Sequence, residues 1–131
     1  MTRFDEVPIA AKGVTSVAVR YFGGDGQPLG LCEIDLQTFI LAVDRLVVEG
    51  CRQIAVVGTS KGAEAALLTA IHDHRINTVV AISPSSVVWG NTGPGRDGDT
   101  WPQRSSWIYK GKPLPFIASD PYWVREYVAT R

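Results

Sequence analysis

The sequence predicts an α/β fold, a parallel sheet flanked by helices, in the order strand–helix–strand–helix–strand followed by a long loop. Three observations predict it. The apolar run Gln53-Ile54-Ala55-Val56-Val57 leads directly into Gly58-Thr59-Ser60-Lys61-Gly62 and then into an alanine-rich stretch of helical character. Short β-rich runs alternate with longer stretches of helical apolar spacing, and helical crossovers imply parallel strands joined right-handedly. The run before Gly58 is continuously apolar, as expected where both faces of a parallel sheet are covered.

The elements follow in order. Residues 4–12 read as the end of a helix closed by Gly13. Val14-Thr15-Ser16-Val17-Ala18-Val19 is β-rich and reads as a strand. Gly23-Gly24-Asp25-Gly26-Gln27-Pro28 is a loop by composition. A helix is expected over residues 35–49, where Leu36, Phe39, Ile40, Val43, Leu46 and Val47 recur at helical spacing. Asp35 is its expected N-cap and Gly50 its stop. A strand over 53–57 precedes a helix over 61–71 with Ala63, Ala66, Leu67, Ala70 and Ile71 inward. Residues 78–82 form a third strand, halted by Ser83-Pro84. The regular pattern stops there. Residues 83–121 hold most of the prolines, five glycines and three of the four tryptophans. So long a stretch without a clear element is usually functional or poorly ordered. Residues 122–131 read as a short tail helix. The expected organisation is one domain over 1–131: a core over 1–82, a loop over 83–121 and the tail.

Composition bounds the function. The chain has 131 residues, 45% of them apolar and 20% charged, which suits a packed core. Thirteen basic residues balance thirteen acidic ones, without the basic excess of a nucleic-acid or anionic-membrane binder. No apolar stretch approaches the ~20 residues that span a bilayer. The first eleven residues carry Asp5, Glu6 and Pro8 and lack a signal-peptide core. Cys32 and Cys51 flank one expected helix and read as free thiols in a reducing cytoplasm.

The chemistry centres on Ser60. A G-x-S-x-G between a strand and a helix is a nucleophile elbow, a sharp turn that lifts the serine oxygen clear of the sheet. The alternative is a tight turn with a solvated serine. The backbone N–H of Lys61, the residue after the nucleophile, is half of an oxyanion hole; its side chain is expected to point to solvent. A serine hydroxyl needs a base within hydrogen-bond reach. The histidines, His72 and His74, lie at the far end of the elbow helix, about 18 Å away at ~1.5 Å rise per residue. They read as last-turn residues favoured by the helix dipole and exposed to water, rather than as bases or metal ligands. Asp97, Asp99 and Asp120 are acids by type only and read as loop or turn residues.

Several segments resemble the C-terminal catalytic domain of the acyl-CoA thioester hydrolases and bile acid-CoA:amino acid N-acyltransferases. They are Gly13-Val14-Thr15-Ser16-Val17-Ala18-Val19-Arg20-Tyr21-Phe22-Gly23, the stretch from Pro28-Leu29 to Ile34-Asp35-Leu36-Gln37-Thr38-Phe39, and Gly58-Thr59-Ser60-Lys61-Gly62-Ala63-Glu64. Two more are Ala81-Ile82-Ser83-Pro84-Ser85-Ser86-Val87-Val88-Trp89 and Ser105-Ser106-Trp107-Ile108-Tyr109-Lys110-Gly111-Lys112-Pro113-Leu114-Pro115-Phe116. The resemblance implies an α/β-hydrolase fold, incomplete here, and a Ser–His–Asp triad. It implies acyl transfer from a coenzyme A thioester to water or an amino acid, with coenzyme A as substrate and no cofactor. Only Ser60 and the Lys61 N–H carry over. The family's Asp and His lie downstream of the tryptophan-rich loop, beyond Arg131, so the chain resembles the middle of a larger domain active in a longer parent. The family also places a strand between those resembling residues 14–21 and 53–57, so here the two either pair directly or leave a gap. Exposed sheet edges offer a route to self-association. Two rival readings are another hydrolase of the same fold, dienelactone-hydrolase-like or peptidase-like, and a non-catalytic assembly module that kept the elbow.

Overall fold

In a computed structural model, residues 9–120 are described, and they form an α/β structure of small sheets and helices. The described residues divide into two compact units, one of residues 9–21 with 36–85, the other of residues 22–35 with 86–120. The expected tail helix over 122–131 lies outside the described residues, as do residues 4–8 of the expected first helix. The end of that helix is visible: the Lys12 N–H bonds the Ile9 carbonyl and the Gly13 N–H bonds that of Ala10, with Gly13 at φ +80°.

The first unit holds α1 (Gln37–Val48), β2 (Ile54–Thr59), α2 (Lys61–His72) and β3 (Ile76–Ile82), numbered after the two-residue β1 (Ile34–Asp35) of the second unit. β2 and β3 pair in parallel, from Ile54↔Ile76 to Thr59↔Ile82. The ladder skips Asn77, whose side-chain oxygen instead accepts the Ile54 N–H at 2.8 Å. That bulge starts β3 two residues before the expected position. α1 ends as expected at Gly50. The Gly50 N–H bonds the Val47 carbonyl, the Cys51 N–H bonds that of Leu46, and Gly50 sits at φ +89°. This is the Schellman closure, which needs a left-handed residue after the cap. Its start differs: Leu36 is the N-cap with no side-chain cap, and Asp35 belongs to β1. Leu36 is fully buried, so burying an apolar side chain sets this end rather than an Asp cap.

Three expectations are corrected in this unit. Residues 14–19 form no strand among the described residues, because β-propensity yields a strand only where a ladder partner exists. Among the described residues β2 pairs with β3 alone. α2 buries Ala63 and Ala66 as expected, with Ala65 and Thr69 beside them, but the expected Leu67 and Ile71 are exposed. Small side chains let a helix backbone approach a sheet closely, so the alanines and Thr69 face inward and the bulkier residues face out. Finally, the continuously apolar β2 is covered on one face only. Val57, Val80 and Ile82, on the opposite face, are 58%, 45% and 49% exposed.

The second unit replaces the expected structureless loop with an organised core. β1 pairs in parallel with β4 (Trp107–Tyr109), and β4 pairs antiparallel with β5 (Lys112–Pro113). Lys110 and Gly111 connect this hairpin, both at positive φ as a type I′ turn requires. Trp107, Ile34, Cys32, Ser105 and Ser106 are its most buried side chains. Both buried hydroxyls are satisfied, Ser105 donating to the Trp107 carbonyl and Ser106 to that of Gly90.

Candidate active site

Ser60 stands between the end of β2 and the start of α2, and it is exposed. Its backbone is at φ 53° and ψ −119°, a conformation costing of order 1–3 kcal/mol for a residue with a side chain. Three hydrogen bonds hold it there. The Ser60 N–H bonds the Ile82 carbonyl at the end of β3 (2.9 Å), and the Ser60 carbonyl accepts from the N–H groups of Ala63 (3.0 Å) and Glu64 (3.2 Å). The two glycines of the motif differ in what surrounds them. A Cβ on Gly58 would collide with the Gly62 carbonyl, so strand and helix backbones can meet only if Gly58 has no side chain. At Gly62 the Tyr21 hydroxyl lies 3.8 Å from where a Cβ would sit. Burial pushes the Tyr21 phenol up from its ordinary value, and its ring packs edge-on against Phe39, with centroids 5.1 Å apart.

Lys61 contributes the first amide of α2, a position with no carbonyl to bond inside the helix. Its side chain corrects the expectation of a solvated lysine. The Lys61 ammonium donates to both oxygens of Glu64, at 2.9 and 3.1 Å, and the two side chains are only 15% and 4% exposed. Burial pushes the Lys61 amine down from its ordinary value, and the Glu64 carboxylate partly offsets this. The pair forms because i and i+3 positions are neighbours on a helix. Glu64 is the site residue that reading for the motif missed; the Lys61-x-x-Glu64 spacing was its signal.

The remaining candidates are dispersed. His72 ends α2, a helix of 12 residues whose other end is Ser60, so it does not serve the elbow; it is half-buried rather than exposed, and His74 is exposed. No group of His, Cys, Asp or Glu among the described residues is arranged to hold a metal. Asp97 organises its own loop, accepting from the Asp99 and Thr100 N–H groups and from the Thr100 hydroxyl. Those bonds, the Thr100 hydroxyl first, hold its carboxyl below the ordinary value. Asp99 and Asp120 are exposed. Cys32 and Cys51 are both free thiols. No helix among the described residues is long and apolar enough to cross a membrane.

The chain matches no protein-family model, no curated protein and no solved structure.

Proposed function

We propose that Ser60 is the nucleophile of an α/β-hydrolase-type acyl-transfer site acting on acyl-CoA thioesters, completed by a longer parent chain. One observation carries this reading: a non-glycine residue held at φ 53°, ψ −119° and exposed between a strand and a helix. Such strain persists at functional turns because the surrounding structure over-determines it. The Ser60 oxygen attacks the thioester carbonyl while a base takes its proton. The Lys61 N–H stabilises the oxyanion. The C–S bond breaks, the coenzyme A thiolate leaves with a proton, and water or an amine releases the acyl group. The base and its orienting acid lie outside the described residues, consistent with the placement of His72 at the far end of α2. The reading is of a cytoplasmic enzyme, its substrate class taken from the sequence resemblance.

Covalent labelling of the 131-residue chain by a fluorophosphonate, with Ser60→Ala as control, tests the nucleophile. Labelling that vanishes in the variant supports it; a folded chain that does not label contradicts activation of Ser60 within these residues. Turnover of simple esters without thioesters would favour the dienelactone-hydrolase-like or peptidase-like reading.

The distance of His72 from the elbow favours a second reading, an assembly module without catalysis. Association of copies through exposed sheet edges belongs to that reading, and sedimentation across a concentration series tests it.

A further inference from the structure

We infer that the Lys61–Glu64 ion pair is a positioning clasp that holds the elbow turn in its strained form. This deepens the reading of Ser60 as nucleophile and rests on it, but the clasp has an observable of its own. Glu64 is 3% exposed, and the Lys61 ammonium reaches both of its oxygens. Stability alone is a poor reason for such a pair: well-packed apolar residues in place of a buried ion pair are often as stable or more so. A lysine in the first helical turn also opposes the positive end of the helix, whereas Glu64 suits it. What the pair supplies is geometric. It spans the first turn across Gly62 and Ala63, and the amides of Ala63 and Glu64 close onto the Ser60 carbonyl. Gly62 offers no side chain to stiffen that turn. With its side chain held at Glu64, Lys61 keeps its peptide plane fixed. That plane contains both the Ser60 carbonyl and the N–H assigned to the oxyanion. Lys61 and Glu64 therefore act through Ser60's neighbours rather than on substrate.

The test compares backbone amide exchange in the 131-residue chain with that in three variants: Lys61→Met, Lys61→Arg, and Lys61→Met combined with Glu64→Met. The reporters are the hydrogen-bonded amides of residues 60, 63 and 64 against those of the β2–β3 ladder. The clasp predicts that the double variant melts at or above the parent temperature. It also predicts that exchange at 60, 63 and 64 rises about tenfold or more while the ladder stays within about twofold. Lys61→Arg retains protection and Lys61→Met loses it. Exchange at 60, 63 and 64 that rises in step with the ladder, or does not rise at all, overturns the clasp. Should the double variant not fold, the contrast between Met and Arg at position 61 decides alone. Fluorophosphonate labelling run beside it separates the two ideas. A 131-residue chain that does not label removes activation of Ser60 from these residues, while the exchange pattern still decides the clasp.

Discussion

Gly58 fixes the elbow more tightly than Ser60 does. Ser60 is exposed and its hydroxyl can be removed without disturbing packing, whereas any side chain at Gly58 meets the carbonyl of Gly62, which is backbone and cannot rotate away. Gly58→Ala is therefore expected to destabilise the first unit by about 1–3 kcal/mol, the usual penalty of overpacking. Ser60→Ala should change stability by less than about 0.5 kcal/mol. Thermal melts of the two variants beside the parent check this, and equal melting temperatures would contradict the close approach. At this scale the sequence was most readable where chemistry and backbone coincide. The Gly58, Ser60 and Gly62 spacing encodes the turn, and Gly58 is the position that admits no side chain. It was least readable at Glu64, whose role depends on burial, and at Lys61, where a charge suggested solvent. Neither charge signals by type that it will be buried; only the i, i+3 spacing hints at it.

At the scale of elements, readability followed the strength of the local stop signal. Gly50 ends α1 where expected because a left-handed C′ position selects glycine. The hairpin of β4 and β5 went unread because its strands have three and two residues. Their turn, Lys110-Gly111, nevertheless carries the φ > 0 chemistry of a two-residue loop. The face of α2 was misread because periodicity weights Leu67 and Ile71 above the smaller residues that approach the sheet. The end of α2 also carries a testable ion network. Asp73 is buried, and Arg75 bonds both its oxygens, at 2.9 and 2.7 Å, while reaching Asp44 of α1 at 2.7 Å. Hydrogen bonding from Arg75 holds the Asp73 carboxyl below its ordinary value. A carboxyl with a depressed folded-state pKa stabilises the fold above the pKa of the unfolded chain. That contribution is lost as pH falls through the folded-state value. Arg75 is 42% exposed, so solvent screens the interaction, and about 1 kcal/mol is a reasonable scale. Asp73→Asn should lower the melting temperature at pH 7. The gap to the parent should narrow as pH falls below about 4, where the unfolded-state carboxyl protonates. A gap that stays constant from pH 7 to pH 3 would remove the network from the stability of this unit.

For the whole molecule, the two compact units differ in how their cores are made, and a thiol sits in each. The first packs the small residues of α2 against a two-stranded sheet beside Leu36, Val43 and Ile54, with Val57, Val80 and Ile82 left open on one face. The second closes around Trp107, with Cys32 1% exposed in the same core. The sequence anticipated the α/β class because strand and helix signals alternate up to Ile82. It did not anticipate the second unit, because residues 22–35 and 86–120 meet only in space and no local period links them. The cysteines report on the units separately. Burial first, then the neighbouring Glu33 carboxylate, raises the Cys32 thiol above its ordinary value, so it is both inaccessible and poor in thiolate. Cys51, just after α1, is partly exposed. A chromogenic disulfide reagent at pH 8 should therefore modify the native chain rapidly at Cys51 alone, with Cys32 reacting only as the second unit opens. Trp107→Ala removes the largest fully buried side chain of that core, a loss of about 3–5 kcal/mol. It should bring Cys32 toward the reactivity of an unfolded thiol while Cys51 keeps its native rate. Equal reactivity of both thiols in the parent chain would mean that residues 22–35 do not close over Cys32. Acceleration at Cys51 as well as Cys32 in the variant would mean that the two units open together.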